Sequence, residues 1–523
     1  MPTDLFGAEG ETTMTESPWY FDMQFGDEYN KSLAAHVHPP DWRPPVPEPI
    51  YNLVVIGAGT AGLISAIGCA ALGGKVALVE RHLMGGDCLN VGCVPSKCLL
   101  RSSRAAAEIT GAARFGLTPG VVAPADFSAV MERLRRLRAG ISRNDSAHRY
   151  SRMGVHVFFG EAAFIDPNTV TVGAVTLRFK KAVIAAGARA VHPDFPGLAE
   201  AGFLTNETVF NLTELPRRIV VVGGGPIGCE LAQAFSRLGS SVTIVQHIRF
   251  LPREDPEASE LLAQVFKREG IRVILDARPV CVEKADGIKR VTVHTREGEQ
   301  IIEADEILIG AGRQPNVEGL DLEKAGVAYD PRKGIQVDDF LRTTNREIFA
   351  AGDICMDWKF THAADAAARI AVQNALFRGR KRLSGLNMPW CTYTDPEIAH
   401  VGLYEEDAEA RGIAVDTYKV ALDEVDRAVT DGETDGFVKV LVRKGSDRIV
   451  GATIVAAHAG DLISEISVAM AGRVGLKIIA EVIHPYPTQA EAIRRVAAAY
   501  NRTRLTPRVA ALLKGWLKWQ RRG

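Results

Sequence analysis

The chain of 523 residues has no excess of either charge: 62 Lys and Arg stand against 63 Asp and Glu, a net charge of −1. A nucleic-acid partner is therefore not expected, because such proteins gather a basic excess or stripe. A chain disordered throughout by self-repulsion is excluded on the same ground. Cysteine is scarce, at positions 69, 88, 93, 98, 229, 281, 355 and 391 only. That rules out a disulfide scaffold in a chain long enough to bury its own cores. No basic residue precedes Lys31 and no early apolar core follows the start, so no secretory leader is expected and the cytoplasm is the default compartment. In that setting a close cysteine pair points to redox chemistry or metal rather than to a staple. Long hydrophobic runs are missing too. The uncharged stretch at residues 53–74 holds six glycines and reads as a buried strand, a glycine turn and a buried helix, not a membrane span.

The balanced charge hides an uneven distribution. Residues 1–50 carry nine acids and two bases, net −7, and residues 494–523 carry nine bases and no acid. The body between them is near −3. With its Pro-rich end (HPPDWRPPVPEP), the segment 1–50 reads as an extended acidic arm, partly polyproline.

From Tyr51 the character changes. NLVVIG, GAGTAG, LISAIGCAAL and KVALVE read as strand, turn, helix and strand, and RIVVVG, GGPIGC, ELAQAFSRLG and SVTIVQ repeat the unit. Further strands at 180–187, 305–312 and 346–353 end in Gly or another small residue or just before Asp353, as parallel strands do beside a bound cofactor. After about residue 388, alternating strands (FVKVLVRK, IVGATIVA) and Ala-rich helices suggest a separate α+β domain. The expected fold is α/β: two Rossmann-like, doubly wound dinucleotide-binding domains plus a C-terminal α+β domain. The expected boundaries are 1–50 for the arm, 51–188 and 318–388 for the first dinucleotide-binding domain, 189–317 for the second, 389–500 for the α+β domain and 501–523 for a basic tail.

The first glycine motif is Gly57, Gly59 and Gly62, with Glu80 ending the second strand. Such glycines let the backbone approach a pyrophosphate, the helix N-terminus supplies partial positive charge, and the carboxylate accepts ribose hydroxyls. The second is Gly223, Gly225 and Gly228, but here Gln246 stands where an acid would favour NADH, followed by His247 and Arg249. Loss of the acid beside two potential cations favours a 2′-phosphate, so NADPH is expected over NADH.

Between the first unit and the next helix lies GGDCLNVGCVPSKCLL, with Cys88 and Cys93 separated by four residues. Two core cysteines or half of a metal site would be alternatives, but no second cysteine or histidine pair appears at ligand spacing. Cys93 opens a helix, which stabilises a thiolate, and a reversible disulfide beside a flavin is the favoured reading. Gly86-Asp87-Cys88-Leu89-Asn90-Val91-Gly92-Cys93-Val94-Pro95-Ser96-Lys97 then matches a long, specific pattern. With AAGD ending at Asp353, GAGRQPN at 310–316 and YTDPEIAHVG at 393–402, the chain over roughly residues 51–500 resembles the class I pyridine nucleotide–disulfide oxidoreductases. The resemblance implies FAD and NAD(P)H as cofactors and a homodimer whose C-terminal domains complete each other's sites. It implies that Cys93 is the flavin-side thiolate, Cys88 the more exposed interchange thiol, Lys97 a flavin neighbour paired with Glu230, and Asp353 a ribitol ligand.

Disulfide-reducing members of that family place a general-acid His before Pro-Thr, with Glu three residues after the Thr. Here the segment is His484-Pro485-Tyr486-Pro487-Thr488-Gln489-Ala490-Glu491, which puts Tyr486 at the His position and keeps Glu491. A phenol with a pKa near 10 is a poor proton shuttle at neutral pH. The pattern is similar to that of the mercuric reductases and points to a small-molecule or metal-ion acceptor, with Cys88 and Cys93 as transient ligands of a substrate metal such as Hg(II). Another metal, a quinone or a small disulfide are the alternative acceptors, and a redox-sensing, membrane-associated flavoprotein is the alternative of a different class. The vicinal cysteine pair that ends mercuric reductases is absent, the last cysteine being Cys391. Cys355 and Cys98 are the relay candidates by position, though burial in the core is the expectation for both.

The tail VAALLKGWLKWQRR places Val509, Leu512, Leu513 and Trp516 on one helical face and Arg508, Lys518 and Arg522 opposite. A terminal helix docked on the protein body is expected. A weak membrane-surface contact, which would make the protein peripheral, is the alternative.

Overall fold

The computed structural model describes residues 26–118 and 124–521. The first half of the acidic arm, and Arg522 and Gly523, lie outside the described residues.

NLVVI forms the strand Tyr51–Ile56, buried at all but one position. It pairs in parallel with Val76–Glu80 on one side and Val175–Ile184 on the other. Val155–Phe159 extends the sheet beyond Val76–Glu80, and Ile348–Ala350 returns from far along the chain to pair in parallel with Val175–Ile184. Runs of Val, Ile and Leu covered on both faces are the physical basis of this parallel core. The helix Thr60–Ala70 packs over it against the long helix Thr361–Phe377.

A second parallel sheet has the order Arg272–Ile274, Ser241–Val245, Arg218–Val222, Glu306–Ile309, with an antiparallel three-stranded unit over residues 278–304 beside it. The two nucleotide units are held together by the helix Cys93–Thr110, which packs on Pro226–Leu238.

The C-terminal domain is a five-stranded antiparallel sheet in the order Pro389–Thr392, Glu397–Gly402, Ile449–Ala456, Phe437–Arg443, Val415–Ala421. The helices Ala459–Ala471 and Glu491–Thr503 cover it. The alternation read in FVKVLVRK does not mean a wet face: Phe437–Arg443 is buried at every position but the last. Lys439 is accommodated because Asp255, from the second nucleotide unit, accepts its ammonium at 2.9 Å with both side chains 8% exposed. A buried charge is tolerated only when paired.

Two expectations at the ends fail. Residues Glu28–Val37 are not extended but helical, capped by Asp27, whose carboxylate accepts from the Asn30 N–H at 2.7 Å. Leu33 and Val37, four apart on one face, bury into the first core, and Asn30 accepts from the buried Arg138 at 2.9 Å. The tail does form a helix, Pro507–Gln520, but it is not docked: none of its residues is buried. Its apolar residues stay between 41% exposed at Val509 and 75% at Leu512.

Candidate active site

Both glycine turns open on one cleft of about 2050 Å³, roughly twice the upper end of an ordinary ligand site. The turns are built alike. Gly57 has φ +98°, and a Cβ on Gly62 would lie 1.7 Å from the Gly57 carbonyl oxygen; at Gly228 the same clash, with Gly223, would be 2.0 Å. These glycines are required by the turn itself. Gly225 is different: a Cβ there would meet nothing within 4 Å, so its bareness keeps the turn open toward the cleft. Helices Thr60–Ala70 and Pro226–Leu238 start at the two turns, so each presents free N–H groups and the positive end of its dipole. This is the cradle a pyrophosphate needs.

The residues ending the second strands are also equivalent. Glu80 accepts from the Ala58 N–H at 2.6 Å and from the His82 N–H at 2.8 Å. Burial pushes its carboxyl up, and these N–H groups oppose the rise. Gln246 accepts from the Gly224 N–H at 2.8 Å and donates to the Arg249 carbonyl at 3.2 Å. The Arg249 guanidinium donates to the carbonyl of Pro252 at 2.7 Å, which fixes a cation at the lip. Gln246, Arg249 and Arg253 line the cleft, whereas His247 is exposed and does not.

Cys88 lies in the short helix Gly86–Asn90 and Cys93 is the first residue of Cys93–Thr110. Both line the cleft, Cys93 open to it and Cys88 half-buried. The Cys88 thiol donates to Cys93, and with Thr361 (Sγ to Oγ1 3.4 Å) and Lys97 this lowers Cys93 to about 6 against the burial that would raise it. The same hydrogen bond, helped by burial, pushes Cys88 up. The pair is therefore polarised into a thiolate, Cys93, and a thiol, Cys88.

Lys97, one turn into the helix, reaches the second nucleotide unit. Its Nζ lies 2.7 Å from Glu230 Oε2 and 4.4 Å from the centroid of the Tyr393 ring, while Glu230 Oε1 accepts from the Tyr393 N–H at 2.9 Å. Burial disfavours the ammonium, but Glu230 and the Cys93 thiolate more than offset it and its pKa rises.

Several cleft contacts join segments far apart in the chain. Arg313 bridges Asp87, beside the dithiol, and Asp353, 3.4 Å from its Nε, so one guanidinium ties the cysteine segment to the AAGD segment. Phe360, Trp390 and Tyr404 form an aromatic wall, with Phe360 and Trp390 stacked at 6.5 Å. The buried Glu254 accepts from Trp390, Thr392 and Tyr404. Cys391 is a third thiol lining the cleft. The relay candidates Cys98 and Cys355 do not line it; both are half-buried, and burial pushes Cys355 up to about 12.

Tyr486 and Glu491 are not brought to this cleft by their own chain. Tyr486 is 69% exposed on the C-terminal domain and donates to Asp426 at 2.8 Å, which holds its phenol above the usual range. Glu491 is buried under Arg494 and Arg495, and His484 is tied to Glu465 at 2.9 Å. Among the described residues no group of three or more His, Cys, Asp or Glu could hold a metal ion.

A family model described as pyridine nucleotide-disulphide oxidoreductase matches residues 51–368, and its dimerisation domain matches residues 388–497. Mercuric reductase from Staphylococcus aureus is 34% identical over 456 residues, 86% of this chain and 83% of that protein. Dihydrolipoyl dehydrogenase from the same organism is 34% identical over 450 residues, 84% of this chain and 94% of that one. Among solved structures, the HOCl-induced flavoprotein disulfide reductase RclA from Escherichia coli superposes with a TM-score of 0.77 at 28% identity, covering 86% of this chain and 99% of that one; its Cu(II) complex aligns equally well. Matched over both parts and related along most of its length, the chain belongs to the pyridine nucleotide-disulphide oxidoreductases, flavoenzymes that use FAD and NAD(P)H.

Proposed function

We propose that this enzyme carries electrons from NADPH through FAD and the Cys88–Cys93 pair to a thiol-bound metal ion, in the manner of a mercuric reductase. The observation that carries the reading is the pairing of a polarised dithiol in the cleft with Tyr486 at the position of the general acid. Bound FAD would supply the two-electron chemistry that links NADPH to the Cys88–Cys93 disulfide. The chain's own part is positional and electrostatic. Gly57, Gly59 and Gly62 admit the FAD pyrophosphate, with Glu80 and Asp353 as its hydroxyl ligands. Gly223, Gly225 and Gly228 admit that of NADPH. Lys97 and Glu230 hold a fixed charge pair beside Cys93. Reduction of the disulfide leaves Cys93 as thiolate and Cys88 as thiol, and a metal ion held by the two sulfurs then accepts two electrons as the disulfide re-forms. No leaving thiolate needs a proton, so a phenol that stays protonated is no handicap.

The protein would work as a homodimer, each C-terminal domain offering Tyr486 to its partner's dithiol. The dimerisation domain supports this, and so do Val468, Ile483 and Tyr486, exposed together on it. A second reading, a Cu(II) reductase, is supported by the Cu(II) complex of RclA.

A matrix of coenzymes against acceptors in excess external thiol tests the proposal. We expect NADPH oxidation with Hg(II) and little with lipoamide or glutathione disulfide. Preference for NADPH over NADH should reverse in Gln246→Glu, by about tenfold or more in kcat/KM, because the new carboxylate repels a 2′-phosphate and accepts a ribose hydroxyl. Fast lipoamide turnover, or higher kcat/KM with NADH in the unaltered enzyme, would overturn the respective part.

A further inference from the structure

The tail is the largest feature the redox site does not use. The helix Pro507–Gln520 starts at a Thr506 cap, whose hydroxyl accepts from the Val509 N–H at 3.3 Å. At 100° per residue, Val509, Leu512, Leu513, Trp516, Leu517 and Trp519 fall on one arc and Arg508, Lys514, Lys518 and Arg521 on the other. The apolar arc is open to solvent, from 41% exposure at Val509 to 75% at Leu512. Trp516 and Trp519 lie side by side on it, their rings 4.9 Å apart. Fourteen residues make a helix about 21 Å long, short of the roughly 30 Å hydrocarbon layer. No described helix is long and apolar enough to cross a membrane. Over residues 494–523 there are nine bases and no acid.

We propose that this helix lies on an anionic lipid surface, with the tryptophan arc sunk at the headgroup boundary and the basic arc facing lipid phosphates. Three observations select a lipid partner. The helix has two separated faces; tryptophan, an interfacial residue, sits on the apolar one; and every charge on the other is positive, complementary to an anionic leaflet. The enzyme would then be a peripheral one.

The test is co-sedimentation of the FAD-loaded full chain with vesicles of phosphatidylcholine alone, or mixed with phosphatidylglycerol. Binding should be about tenfold or more stronger to the mixed vesicles, fall with added salt and shift tryptophan fluorescence to the blue. It should be lost in Lys514→Glu/Lys518→Glu and in a chain ended after Arg504, both keeping their flavin and their NADPH oxidation with a soluble acceptor. Equal sedimentation of the full and shortened chains overturns the proposal. So does binding that appears only after the acidic residues 1–25 are removed, which would make that segment the occupant of the face. So does a smaller assembly on shortening with no vesicle binding, which would make a second copy the occupant.

Discussion

Cys88→Ser and Cys93→Ser should each lower NADPH-driven acceptor reduction by at least about 10³-fold while leaving the flavin bound. The magnitude is that of removing a nucleophile that acts only as part of a unit. Two sulfurs are needed to store one electron pair as a broken S–S bond, and a lone thiol can neither form the disulfide nor hold a metal ion between two donors. The two variants should differ in detail. Cys88→Ser keeps a hydroxyl that can donate to Cys93, so a thiolate persists at the helix start. Cys93→Ser loses the low-pKa group and leaves the half-buried Cys88 without the partner that polarises the pair. Thiolate absorbance against pH in the reduced enzymes would read this directly: a midpoint near 6 survives in the first and disappears in the second.

The second large effect is expected at Lys97. Glu230 is 6% exposed in its side chain and has Lys97 and the Tyr393 N–H as its partners. Lys97→Met would leave a buried carboxylate with the N–H alone. Breaking a buried pair costs about 3–5 kcal/mol, and with Lys97 itself 36% exposed a smaller loss, about 2–3 kcal/mol, is expected. Denaturant titration of the holoenzyme measures it. The pH dependence should change as well. The folded pKa of Cys93 lies below that of an unfolded thiol, so its ionisation stabilises the fold above the unfolded value, about 8.5, and that part is lost as pH falls through about 6. Without Lys97 the Cys93 midpoint rises and the acid loss begins at higher pH. Lys97→Arg, which keeps the charge, should recover most of the stability; a merely space-filling role would make Met the better substitute.

What could be read from the sequence was whatever is local. Glycine turns, a C-x4-C helix start and a strand-ending carboxylate are short-range chemistry, and the polypeptide itself spells their spacing. Much of what completes the cleft is long-range. Thr361 meets Cys93 and Arg313 meets Asp87 across more than 200 residues, and the aromatic wall joins Phe360 to Trp390 and Tyr404. No periodicity announces such contacts. At Glu28–Val37 the signals were present, an Asp cap and apolar residues at i and i+4, but the Pro-rich stretch after them dominated the reading. At the tail, amphipathicity gave the helix correctly but could not say what covers its apolar face.

The central claim is that the Cys88–Cys93 pair delivers NADPH electrons to a thiol-bound metal. It is tested most directly by counting elemental mercury released per NADPH consumed, without oxygen and with Hg(II) held by excess thiol. One mercury atom per NADPH from the unaltered enzyme, and none from Cys88→Ser, is the predicted result. NADPH consumption that leaves Hg(II) unreduced, or undiminished mercury release from Cys88→Ser, would contradict it.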